Sequence, residues 1–159
     1  MPILRLHTLI HAPPVVCFNA SRDIDLHVSS MRHTNEKAIA GKTTGLIGLH
    51  ESVIWEARHF FIRWHMTVKI TQFDPPYSFT DEMISGPFAR MQHVHGFAQQ
   101  DSHTLMTDHF DFASPFGLIG KAVDWLALSS YMRDLLELRN VLIRSYAEKS
   151  YLVSLQEGL

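Results

Sequence analysis

The chain has 159 residues, 46% of them hydrophobic, with 14 basic and 16 acidic side chains and a formal net charge of −2. That length suits one domain spanning residues 1–159 with a sizeable core, and the composition excludes a disordered chain. The near-neutral balance leaves no electrostatic footprint for nucleic acid or for an anionic membrane, and no stable membrane insertion is expected. The single cysteine, Cys17, rules out an internal disulfide framework and fits a reducing, cytoplasmic compartment. The N-terminal MPILRLHTLIHAPP is too short and too polar for a signal peptide or a spanning helix. No apolar run approaches the ~18 residues of a membrane helix.

Residues 2–11 alternate loosely and predict a strand ended by Pro13-Pro14. Pro14 suits a first helical turn, and Val15, Val16 and Phe18 make a short helix ending near Ala20. Asp23 is an N-cap for a second short helix reaching about Met31. Residues 34–49 hold Gly41, Gly45 and Gly48 and are expected to form a loop. Within it, Ala40-Gly41-Lys42-Thr43-Thr44 suggests a phosphate loop. The first glycine of that pattern is replaced by Glu36 and no hydrophobic strand leads in, so the glycines are assigned to the loop itself.

Five strands follow. The first spans about 50–58, with Val53, Ile54 and Trp55. The second spans about 60–73, where Ile62, Trp64, Met66, Val68 and Ile70 alternate with polar residues as in a half-buried antiparallel strand. Pro75-Pro76 ends it. Residues 77–84 carry Tyr77, Phe79, Asp81 and Met83 on one face. Residues 88–99 and 103–113 form a hairpin pair, with His93, His95 and Phe97 on one face of the first and Met106, Asp108, Phe110 and Phe112 on one face of the second. A long helix over about 119–148 ends the chain. Its apolar stripe runs Trp125, Leu128, Met132, Leu135, Leu142 and Tyr146, with Arg139 falling on the stripe.

The order is β-α-α-β5-α, an α+β pattern in which a curved antiparallel sheet is covered by the one long amphipathic helix. A gap between sheet and helix is the expected pocket. This order, with GLIGLHESVIWEARHF (45–60), ITQFDPPYSFTDEMISGPF (70–88), HVHGF (93–97) and TLMTDHFDFASPFGLIG (104–120), resembles the helix-grip fold of the SRPBCC, START-like superfamily. That superfamily includes polyketide cyclase-like proteins. The wording is similar to an uncharacterised bacterial ligand-binding subgroup, whose sequences carry glycine just before the residue here numbered Glu51; this chain has His50 there. The resemblance implies a cavity for a hydrophobic or amphipathic small molecule, and does not by itself imply a reaction.

Polar groups on apolar faces need partners, because an unpaired buried one costs a few kcal/mol. For His93, His95, Asp81 and Asp108 three readings stand. They satisfy one another, they orient or act on a ligand, or they bind a metal with Asp108 or His109 as a third ligand. The metal set is incomplete by the standard of zinc sites, so no metal and no other cofactor is expected. In an enzyme of cyclase or hydrolase type, His93, Asp108 and Asp81 would be the acid–base groups. The expected cavity wall comprises Trp55, Trp64, Met66, Val68, Phe79, Asp81, Met83, His93, His95, Met106, Asp108 and Phe110 from the sheet, with Phe116, Trp125, Leu128 and Met132 from the helix and its approach. Cys17, between Val16 and Phe18, is expected to be an inert buried thiol. Exposed strand edges and Phe116 offer a homodimer surface as a further alternative.

Overall fold

The computed structural model describes residues 3–114 and 127–158. Seven strands form one antiparallel sheet: β1 (Ile3–Ile10), β2 (Lys37–Gly41), β3 (Ser52–His59), β4 (Ile62–Asp74), β5 (Ser78–Ser85), β6 (Arg90–Gln100) and β7 (His103–Ala113). The spatial order is β1-β7-β6-β5-β4-β3-β2. Two short helices, α1 (Pro14–Ser21) and α2 (Ile24–Ser30), separate β1 from β2, and the long α3 (Ser129–Glu157) packs on the sheet. A curved seven-stranded sheet gripping a C-terminal helix is the helix-grip fold.

Local chemistry explains the short helices. Pro14 occupies the first turn of α1, where its missing N–H is no loss. The Asp23 carboxylate accepts from the Asp25 and Leu26 backbone amides at 2.9 and 3.1 Å, a cap worth about 1 kcal/mol.

The sheet follows period two. Along β7, Thr104, Met106, Asp108, Phe110 and Phe112 are buried; along β6, Met91, His93, His95 and Phe97 are. These side chains meet α3 and a cluster in which Phe18 makes edge contacts with Phe73, Phe79 and Phe97. Cys17 is fully buried in the same core.

Three sequence expectations need correction. Residues 34–49 are not all loop, because Lys37–Gly41 pairs with β3 and gives six strands after the helices instead of five. A register shift between Ala38 and Ala40 breaks the alternation that would have revealed it. Gly41, at φ 75°, ends β2 so close to β3 that an added Cβ would lie 2.3 Å from the Ser52 carbonyl oxygen. The glycine of the phosphate-loop look-alike therefore serves strand packing.

The second correction concerns α3. Its buried residues are Leu135, Leu136, Arg139, Asn140, Ile143 and Ala147, whereas Leu142 and Tyr146, predicted on the inner stripe, are 37% and 46% exposed. The inner face is rotated because it carries two polar residues, Arg139 and Asn140, that hydrophobic periodicity cannot weigh. The helix also runs past the expected end at 148, to Glu157, while its predicted first turns from 119 lie outside the described residues.

Third, β4 is not half-buried along its whole length. Ile62, Arg63, Trp64 and His65 are exposed, since this end of the β3–β4 hairpin projects beyond the body of the sheet. Tyr77 likewise lies outside β5 and is exposed. His50 adopts φ 65°. Glycine takes that left-handed geometry without cost, so a histidine there carries some backbone strain.

Candidate functional site

Antiparallel register assembles the polar wall. His95 stands opposite Asp108, and His93 opposite Asp81. The hydrogen bonds run on the diagonals: His93 Nε2 donates to Asp108 Oδ1 at 2.8 Å, and His95 Nε2 donates to Asp81 Oδ1 at 2.7 Å. The two imidazole rings lie with centroids 3.8 Å apart, Phe79 stacks on His95 at 4.2 Å, and Phe110 meets His93 edge-on at 5.1 Å.

Helix α3 completes the cluster. Asn140 Nδ2 donates to Asp108 Oδ2 at 2.6 Å. Arg139 Nη2 donates to the Ser21 carbonyl at 2.8 Å, while its Nη1 lies 3.9 Å from Asp108 Oδ1. His95 Nδ1 also lies 3.3 Å from Asp108 Oδ1. That contact lacks hydrogen-bond alignment and is an electrostatic one, so His95 Nδ1 and Arg139 Nη1 are buried donors without an acceptor.

The ionisation states follow from this packing. Burial pushes the Asp108 carboxyl up, but the hydrogen bond from His93 and the close His95 ring outweigh it and hold the group well below the usual carboxylate range. Asp81 is opposed by burial in the same way and is held low by His95. Burial works against a charged His95, yet the close Asp108 carboxylate and the hydrogen bond to Asp81 win and raise its pKa. Burial and the neighbouring charge of His95 push His93 down to about 4. Two carboxylates are thus balanced by the His95 imidazolium and the Arg139 guanidinium, with His93 neutral between them.

The cluster closes one part of a cavity of about 340 Å³ between the sheet and α3. This volume sits at the lower end of the range roughly 300–1,000 Å³ typical of small-molecule pockets. Of the wall predicted from sequence, Trp55, Trp64, Met66, Val68, Phe79, Asp81, His93, His95, Phe110, Leu128 and Met132 line it. Met83, Met106 and Asp108 do not. Met106 is packed against the Ser21 hydroxyl, Met83 is packed against the core, and Asp108 is held behind the histidines at 1% exposure. Phe116 and Trp125 lie outside the described residues.

The sequence reading missed several lining residues. Arg139 comes from the helix, His27 and Glu36 (2.6 Å apart) from the α2–β2 region, and His59 and Tyr131 from the far end. His27 stacks on Trp55 at 4.4 Å, and His59 Nδ1 is bonded to the Tyr131 hydroxyl at 2.7 Å. These pairs join segments distant in sequence. Only Arg139 left a signal there, as a charge on an apolar stripe.

Among the described residues, Asp81, His93 and His95 bring ligand atoms within 4.8 Å of one another. Two histidines and a carboxylate are a donor set for first-row divalent metals. Here both Nε2 atoms are already committed to carboxylates, and Arg139 with His95 already balances the negative charge. An ion would have to displace that arrangement.

No family model matches the chain, and no curated protein matches it. Solved structures do. TTHA0849 from Thermus thermophilus superposes with a TM-score of 0.75 at 14% identity, over 94% of this chain and 99% of its own. The ginseng major latex-like protein 151 from Panax ginseng reaches 0.66 at 17% identity, over 92% of this chain and 97% of its own. Ara h 8.0201 reaches 0.66 at 11% identity, again over 92% and 97%. At these identities the likeness is one of fold. No described helix is long and apolar enough to cross a membrane.

Proposed function

We propose that residues 1–159 are one ligand-binding domain of the uncharacterised bacterial SRPBCC subgroup, acting in the cytoplasm as a carrier or sensor of a hydrophobic or amphipathic small molecule. The observation that carries this reading is the cavity itself, apolar over most of its wall with charged groups gathered at one place. Trp55, Trp64, Met66, Val68, Phe79, Phe110, Leu128 and Met132 would hold the apolar body of the ligand. Its polar end would meet Asp81, His95 and Arg139. Arg139, a lining residue whose Nη1 is a buried donor without an acceptor, favours a ligand oxygen there, because satisfying a buried donor recovers a few kcal/mol.

A second reading is a cyclase- or hydrolase-like enzyme using His93, Asp108 and Asp81. It draws on a charged and a neutral imidazole side by side in one wall. Acid–base catalysis works best with groups that titrate near the working pH and reach the substrate. Asp108 is sealed behind the histidines and both carboxylates are held firmly ionised, which favours binding over catalysis.

The test is titration with a fluorescent amphipathic probe, dansyl-undecanoic acid, on the native protein and on Val68→Trp, which fills the cavity. The expected result is saturable binding that the substitution abolishes while the fold persists by circular dichroism. Undiminished binding to Val68→Trp would overturn the assignment.

A further inference from the structure

The tip of the β3–β4 hairpin is the most exposed apolar feature of the described chain. His59 pairs with Ile62, so Phe60 and Phe61 form a two-residue turn. Both have positive φ, 51° and 63°. Hairpins of this length favour Asn-Gly there, since left-handed geometry strains a bulky side chain. Phe61 at such a strained position, with no core contact to favour it, points to a use outside the fold. Phe61 is 91% exposed and Phe60 62%, with Ile62 and Trp64 beside them also in solvent.

Charge and position narrow the use. Arg58 lies with its guanidinium 6.0 Å from the Phe61 ring, and Arg63 flanks the other side with its side chain 72% exposed. Glu56 is shared between His65 at 2.9 Å and Arg63 at 3.9 Å, so two arginines face one carboxylate and a local positive excess remains at Arg58, which the whole-chain charge of −2 averages away. The same tip forms the rim of the cavity, which His59, Phe60 and Trp64 line. There Phe60 packs on Tyr131 with ring centroids 4.8 Å apart, next to the His59–Tyr131 hydrogen bond.

We propose that the Phe60-Phe61 tip docks on the surface of an anionic lipid bilayer. Aromatic residues enter the headgroup boundary while Arg58 and Arg63 meet lipid phosphates, as at other interfacial anchors. Docking places the cavity rim against the lipid, a natural position for exchanging an amphipathic ligand. The docking itself does not depend on the cavity being a binding site, so the two claims fail separately.

The test is co-sedimentation with vesicles of phosphatidylcholine mixed with phosphatidylglycerol, for the native chain, for Phe61→Ser and for Arg58→Ser/Arg63→Ser. Phe61 lines no cavity and touches no core, so Phe61→Ser folds, as circular dichroism will show. The native chain is expected to sediment with the vesicles. Losing one inserted phenylalanine weakens binding by about tenfold to a hundredfold. Losing both arginines weakens it by about tenfold or more, and added salt does likewise. Three results would overturn the proposal: no sedimentation of the native chain, equal sedimentation with pure phosphatidylcholine, or no effect of Phe61→Ser. A dimer in size-exclusion chromatography with light scattering that Phe61→Ser dissociates, in a chain that ignores vesicles, would assign the tip to a second copy instead.

Discussion

His93 makes the protonation state of the buried cluster measurable. The folded protein holds its imidazole neutral down to about pH 4, whereas an unfolded histidine titrates near about 6.5. Between those values the unfolded chain takes up a proton that the folded chain refuses, so the contribution of His93 is fully present above about pH 6.5 and is lost as pH falls. One proton of difference changes stability by about 1.4 kcal/mol per pH unit, so lowering the pH from 6.5 to 5 removes about 2 kcal/mol. For a chain of this length that is a fall in Tm of about 4–8 °C. His93→Gln keeps an N–H within reach of Asp108 but cannot titrate. Its stability is expected to start lower and to lack this part of the slope. The raised pKa of His95 does not interfere, because its contribution is fully present below the unfolded value and is lost only as pH rises above it. Urea unfolding of both proteins at the two pH values gives the comparison. Equal slopes would refute the neutral buried His93.

Other outcomes follow from the same packing. Asp108→Asn leaves the His95 imidazolium and Arg139 short of a counter-charge in the core, and is expected to destabilise the fold by about 3–5 kcal/mol in denaturant titration. Along α3, Ile143→Ala should cost about 2–5 kcal/mol and Leu142→Ala about 0.5 kcal/mol or less, reversing the order that simple stripe counting predicts. Cys17, buried with its thiol pushed up to about 11, should resist a disulfide-exchange reagent at pH 8 in the folded protein and react promptly in denaturant.

Much of the cup wall was legible because strand alternation is local. Given the β6 and β7 boundaries, period two places His93, His95, Asp108 and Phe110 on one face, and adjacency of the strands brings the histidines to the carboxylates. Two things escaped. The short strand Lys37–Gly41 is interrupted at Ile39 by a register shift, ends on Gly41 and is followed by Gly45 and Gly48, so the segment has a loop's composition. The facing of α3 is set by Arg139 and Asn140, which are buried because Asp108 and the Ser21 carbonyl await them. A pattern that scores only hydrophobicity treats those two as errors. The pairing partners of the cavity's far end, His27 with Glu36 and His59 with Tyr131, depend on how helices and hairpin close over the sheet, which no local period encodes.

The binding role of the cavity is tested most directly by native mass spectrometry of the freshly purified protein beside Val68→Trp, with extraction of any bound small molecule. The native chain is expected to carry, or to take up from added dansyl-undecanoic acid, one molecule per chain, with an apolar body and an oxygen-bearing polar end. The filled-cavity variant should carry none. A native chain that stays bare with the probe in excess, or a variant that binds equally well, would contradict a ligand-binding function for this cavity.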